Sequence, residues 1–260
     1  MKPSWIIGAF AVVTATNLVV VGLNNQTGVW ATKPLLMPLL AVLVYLTAYR
    51  QDSANLGLTT GRSLVPNNPV YRWLIIGLIF AWIADIALII DSDTAFLIGV
   101  GVFGLMQLCY LTVFWCLGAM PSMGRRTGGL VFQAIPKSKT RLIGPVILYV
   151  FWLIFNVVMW PEFDALALPI ALYSLLLVTM AAVAFGVSDR VATGAVLFVI
   201  SDLMIGIRLA EISFPGQGIA IMATYTAAQL LIVTGCLRAR LSAGPVRKYR
   251  AGMKPDPRYL

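Results

Sequence analysis

Apolar residues gather along this chain into long runs separated by short polar breaks. The runs lie near Ser4–Leu23, Pro34–Tyr49, Tyr71–Ile90, Ala95–Gly118, Leu142–Trp160, Leu166–Phe185, Val191–Ala210 and Gly218–Leu237. Each approaches the roughly 20 mostly apolar residues that a helix needs to cross a bilayer. The pattern predicts an all-α fold, a polytopic membrane helix bundle of about eight transmembrane helices. The bundle is expected to fill residues 1–240 as one domain, with 241–260 a basic, disordered cytoplasmic tail. The longest connections, about Arg50–Val70 and Ala119–Arg141, are rich in glycine, proline and basic residues.

Composition and charge agree with that reading. Of 260 residues, 60% are hydrophobic and only 11% charged, where a soluble domain carries about 25% charged residues. The charges are also sorted by side. With a cytoplasmic N-terminus, that side receives Lys2, Arg50, Arg62, Arg72, Arg125, Arg126, Lys137, Lys139, Arg141, Arg190 and the basic tail. The opposite side receives Asp91, Asp93, Glu162, Asp164 and Glu211, with Lys33 and Arg208 as its basic residues. This is the positive-inside pattern, and it predicts that both termini are cytoplasmic. The expected location is a bacterial plasma membrane. Topology and attraction to anionic membrane lipids account for the net charge of +9, so it does not point to nucleic acid. Cys109, Cys116 and Cys236 fall inside apolar runs, with neither disulfide-framework nor zinc spacing.

Two carboxylates break the apolar pattern. Asp85 and Asp202 lie inside predicted spans, where a charged residue costs roughly 2.5–3.5 kcal/mol on insertion scales. Each stands eight residues after a glycine, in GLIFAWIAD (Gly77 to Asp85) and GAVLFVISD (Gly194 to Asp202). Helices three and seven cross in the same direction, so the echo suggests a 4+4 parallel internal repeat about an axis along the membrane normal. Counted from the cytoplasmic ends, Asp85 lies ~21 Å and Asp202 ~16 Å into the bilayer at the helical rise. Asn17, Gln107, Tyr110, Asn156, Ser201, Tyr225 and Gln229 fall in a similar layer. Gln107 with Tyr110, and Tyr225 with Gln229, each share a helix face. A polar pocket between helices, open toward the outer side, is the expectation. Lys33, followed by Pro34, is expected to begin helix two, where the helix dipole would help it hold a phosphate. The alternative for Lys33 is snorkelling to the interface.

The residue inventory narrows the chemistry. The chain has no histidine, which excludes a Ser–His–Asp hydrolase, a Cys–His nucleophile and a His-based zinc site. Two deep carboxylates are too few for an ordinary metal cage, and Gly99, Gly101 and Gly104 sit inside a helix rather than in a nucleotide-binding turn. Paired carboxylate chemistry is left. In a low-dielectric site one carboxyl can keep its proton while its neighbour is ionised. Such a pair serves general acid–base catalysis, and equally a proton relay. A purely structural role is weaker, because one hydrogen bond offsets little of the insertion cost.

At these residues the chain resembles the YhhN-type lysoplasmalogenase family of eight-span membrane proteins. Gly194, Ala195, Leu197, Phe198, Ser201 and Asp202 follow that family's GAxLFxxSD pattern. Tyr225, Ala228, Gln229, Leu231, Ile232 and Gly235 match in helix eight, the Lys33–Pro34 pair in helix two, and Phe96, Gly99, Phe103 and Tyr110 in helix four. Helix three carries Ala84–Asp85 where the family usually has Gly-Asp, and Gln107 stands where many members have histidine. The resemblance covers about residues 30–236. It implies hydrolysis of the vinyl ether bond of a lysoplasmalogen or related lysophospholipid within the bilayer, giving a fatty aldehyde and a glycerophospho-alcohol. It also implies that Asp85 and Asp202 are catalytic.

That chemistry begins with protonation of the outer alkene carbon, which leaves an oxocarbenium ion for water to attack. It needs a water-shielded acid beside a second carboxylate, as in glycosidases, and no metal or cofactor. On this reading one aspartate is the acid and the other the stabiliser and base. Lys33 holds the phosphate, while Gln107, Tyr110, Ser201, Tyr225 and Gln229 line the polar part and orient water. The competing reading is a proton-coupled transporter or lipid-moving protein using the same aspartates as a relay. Helix breaks at the carboxylates would favour it. A non-catalytic lipid-binding protein would instead have a polar layer that is mutually satisfied.

Overall fold

Short polar signals set where each helix begins. Asn68 accepts a hydrogen bond from the Val70 amide at 3.0 Å, just ahead of Pro69 in the first helical turn. Ser188 does the same for Val191 at 3.3 Å. The left-handed backbone of Asn24 (φ 53°) lets the chain reverse within three residues. Side-chain acceptors and proline at helix starts satisfy or remove amides that have no partner within the helix.

The computed structural model describes residues 4–56, 66, 68–119, 125–126, 129–130 and 140–242. Its helices are α1 (Ser4–Gly22), α2 (Gln26–Leu56), α3 (Pro69–Ala87), α4 (Asp93–Cys116), α5 (Thr140–Met159), α6 (Ala167–Ala184), α7 (Asp189–Leu209) and α8 (Gln217–Ser242). All eight are long and apolar enough to cross a membrane, so the protein is a multi-pass helical bundle. Two-residue strands at Arg125–Arg126 and Gly129–Leu130 pair between α4 and α5. Two 3-10 turns, Trp160–Glu162 and Asp164–Leu166, lead into α6. Beyond Ser242 the expected tail lies outside the described residues.

Helix pairing follows the order of the chain. α3 on α4 and α7 on α8 form the most extensive contacts, and α1–α2, α2–α3, α5–α6 and α6–α7 pack in sequence. α4 meets α6 across the two halves, and α8 meets α1, α2 and α3. Under a 4+4 relation the α3–α4 pair corresponds to α7–α8, and α4–α6 to α8–α2. The echoed glycines occupy equivalent places. A Cβ on Gly77 would come within 2.8 Å of the Tyr110 ring on α4, and one on Gly194 within 2.9 Å of the Ala228 carbonyl oxygen on α8. Each glycine is where its helix closes on the next, as small residues do in membrane bundles.

The second helix departs from expectation. It begins at Gln26, not Pro34, and runs through both Pro34 and Pro38. Lys33 therefore lies two turns inside α2, and the expectation that it sits at a helix N-terminus is overturned, together with its dipole argument. The expected start rested on the ~3 kcal/mol or more that an interior proline costs. Neighbouring groups offset that cost in membrane bundles. Pro38 has no N–H for the Pro34 carbonyl, and the Trp82 indole of α3 donates to that carbonyl at 2.8 Å.

Gly194→Ala is expected to push α7 off α8, because a backbone carbonyl cannot rotate aside as a side chain can. Overpacking of this kind costs ~1–3 kcal/mol. Thermal unfolding in detergent should show a lowered midpoint, while Gly101→Ala, whose Cβ would meet nothing within 4 Å, leaves it unchanged or raised.

Candidate active site

Asp85 stands two residues before the end of α3, and Asp202 seven before the end of α7. Both lie in the half of the bundle next to the acidic connections. Their surroundings differ.

Asp85 is only 2% exposed. Its Oδ1 lies 3.5 Å from the Lys33 ammonium, and its Oδ2 accepts a hydrogen bond from the Tyr225 hydroxyl of α8 at 2.8 Å. Lys33 reaches it because Trp82, three residues earlier on α3, grips the Pro34 carbonyl and fixes the register of the two helices. A carboxylate at this depth is tolerable when paired and hydrogen-bonded, and this one is both. Behind Tyr225, Gln229 accepts from the Tyr110 hydroxyl at 2.6 Å and donates to the Met106 sulfur at 3.4 Å.

Asp202 faces a cavity of about 90 Å³ between α4, α5, α6 and α7. One water needs roughly 10–15 Å³ by this measure, so the space holds a ligand several times larger. Phe96, Val100 and Phe103 of α4, Phe151 and Phe155 of α5, and Leu177 of α6 are among its walls. Apart from the Trp152 indole, its polar side chains are Asp202, Tyr173 and Ser174. The Tyr173 hydroxyl donates to Asp202 Oδ2 at 2.5 Å. Ser174 is occupied otherwise, donating to the Ala171 carbonyl and accepting from the Trp152 indole at 3.0 Å.

An edge-to-face cluster of Phe103, Phe198 and Tyr225, with ring centroids 5.6–6.0 Å apart, links the two environments. Phe103 lines the cavity, and Tyr225 holds Asp85.

The expected polar pocket is thus divided. Lys33, Asp85 and Tyr225 form one connected group, backed by the pair of Tyr110 with Gln229. Asp202 stands with Tyr173 on an apolar cleft. Ser201 donates to the Ile221 carbonyl at 3.1 Å and so ties α7 to α8. Gln107 is fully buried, and both its amide atoms lack a hydrogen-bond partner. It lies near enough to the Tyr173 hydroxyl to interact with it, though outside hydrogen-bonding geometry. On α4 it continues the stripe of Phe96, Val100 and Phe103, so it sits one turn beyond the cleft. Sequence reading missed Tyr173. The available signal was a tyrosine in the middle of a span, where a buried hydroxyl seeks a partner.

Comparison with known proteins adds to this picture. The chain is 32% identical over 170 residues to proteins named Lysoplasmalogenase from Mycobacterium bovis and Mycobacterium tuberculosis, covering 63% of this chain and 60% of each relative. It therefore spans about 60% of the length of those curated relatives. No solved structure matches it. The family model described as the YhhN family matches residues 28–236, from the start of α2 into α8. Both carboxylate-bearing helices fall within that match, and the chain belongs to the YhhN family.

Proposed function

We propose that the protein is an integral-membrane hydrolase that cleaves the vinyl ether bond of lysoplasmalogens or related lysolipids, releasing a fatty aldehyde and a glycerophospho-alcohol. One observation carries the proposal: a carboxyl group, Asp202, stands at the polar spot of an otherwise apolar cleft, and a second, ion-paired carboxylate, Asp85, lies in the same half of the bundle. The names of the two mycobacterial relatives support the same reaction.

In this reading Asp202 is the acid. Its proton passes to the outer alkene carbon as the π pair forms the new C–H bond, and the ether oxygen shares the positive charge. The Asp202 carboxylate left behind and the charge of Asp85 stabilise that oxocarbenium ion. Water adds to the carbon bearing the oxygen and gives up a proton to a carboxylate. The hemiacetal then collapses to aldehyde and alcohol. The apolar walls hold the hydrocarbon and keep bulk water from the acid. Gln107, with a free donor and a free acceptor, orients the attacking water. Lys33, 11% exposed and paired with Asp85, takes the substrate phosphate in this reading. Tyr110, Gln229 and Ser201 support this arrangement by holding Tyr225 and α8. The transporter reading called for breaks at the carboxylates, and α3 and α7 run unbroken through both.

Incubation of the purified protein with a 1-alkenyl lysophospholipid should release aldehyde. Loss of a general acid or base typically costs about 10²- to 10⁴-fold, and both Asp202→Asn and Asp85→Asn are expected to show losses of that size. An absence of vinyl ether turnover, with proton-dependent flux in vesicles instead, would replace this reading by the transporter.

Lys33→Met separates phosphate binding from support of Asp85. Losing a charge-assisted contact should raise KM for the phosphate-bearing lysolipid by about tenfold or more. KM for the 1-alkenylglycerol, which lacks phosphate, should stay as it is. An equal rise for both substrates would remove Lys33 from phosphate recognition.

A further inference from the structure

Among the described residues, the hydrogen bond from Tyr173 is the one side-chain bond made to Asp202. It occupies Oδ2 and leaves Oδ1 without a donor. Tyr173 comes from α6 and Asp202 from α7, and both line the cleft. The bond therefore fixes the carboxyl group between two helices at the place where a hydrocarbon would lie.

We propose that Tyr173 is the positioning residue of this site, setting Oδ1 of Asp202 as the atom that carries and delivers the proton. The inference rests on the hydrolase reading above and assigns a task within it. A hydroxyl that donates to Oδ2 competes with a proton on that oxygen, so the acid proton resides on Oδ1. In the transfer step the Oδ1–H bond breaks and a C–H bond forms at the outer alkene carbon. Asp202 becomes a carboxylate while the substrate becomes an oxocarbenium ion, so charge balances without any further reactant. The Tyr173 bond changes character at the same moment. A donor to a neutral acid becomes a donor to an anion, and charge-assisted bonds are roughly twice as strong as neutral ones. Tyr173 thereby favours the transition state over the ground state, and only such differential contacts accelerate the chemical step. It is already aligned, so no solvent need reorganise.

The test uses the full chain in detergent, with Tyr173→Phe and Tyr149→Phe compared with wild type. Tyr149 of α5 donates to Thr179 of α6 at 3.1 Å, outside the site, and controls for removal of a hydroxyl. On a 1-alkenyl lysophospholipid, Tyr173→Phe should lose about ten- to a hundredfold in kcat with KM unchanged, and Tyr149→Phe should lose nothing. The infrared carboxyl band that Asp202→Asn abolishes should shift in Tyr173→Phe and stay in place in Tyr149→Phe. A merely structural tyrosine would lower the thermal midpoint or raise KM and leave kcat alone. Wild-type kcat in Tyr173→Phe, a loss confined to KM, or an unmoved Asp202 band would each overturn the inference while the hydrolase reading stands. A wild-type protein that releases no aldehyde, yet shows the band shift, would remove the hydrolase reading and the positioning role with it, leaving only the contact.

Discussion

The contact between Lys33 and Asp85 is the constraint on which the rest of the arrangement turns. An unpaired charge in the bilayer interior is costly, and removing one partner of a buried pair leaves the other uncompensated. The bundle therefore has to bring α2 and α3 together in one register. It does so with an unusual device, a proline pair inside α2 that frees a carbonyl for the Trp82 indole. Three residues on, Asp85 then meets Lys33 on one side and Tyr225 on the other. Through Tyr225 the pair also fixes α8, which touches α1, α2 and α3 in turn.

Two carboxylates that echo each other in sequence thus receive opposite treatment. Asp85 is enclosed, ion-paired and hydrogen-bonded. Asp202 has a phenol for company and a hydrocarbon-lined space before it. A symmetric pair of acids would offer two similar groups. An asymmetric pair places two carboxyl groups in different environments, the division on which the proposed acid-catalysed cleavage would draw. Both stand in the same half of the bundle, and the partners on α2, α6 and α8 supply the difference.

The spans were legible because bilayer thickness imposes a length on every apolar run, whereas Gly77 and Gly194, which frame the sequence echo, carried no sign that α3 closes on α4 there and α7 on α8. The carboxylates announced themselves by the cost of their position. Other features were hidden for physical reasons. Proline reads as a helix boundary from local chemistry alone, so the true start of α2 at Gln26 depended on Trp82, a residue 44 positions past Pro38 and on another helix. Tyr173 and Asp202 meet by the rotation of α6 against α7, and helices apolar all round, as α6 nearly is, carry little pattern that reveals their facing. The division of the polar layer was hidden likewise, since Asp85 and Tyr225 are 140 residues apart.

Gln107 shows how far this division extends. A buried amide with neither atom bonded is expensive, and most such groups in folded proteins find a partner. Tyr173 has already committed its proton to Asp202, and Gln229 is spent on Tyr110 and Met106. Tyr173 and Gln229 are thus paired off, and Gln107 retains a donor and an acceptor one turn beyond an apolar cleft. A group that is unsatisfied in the protein by itself is stabilised by whatever polar molecule enters. On the hydrolase proposal, the water consumed in the reaction is one species that would complete the core.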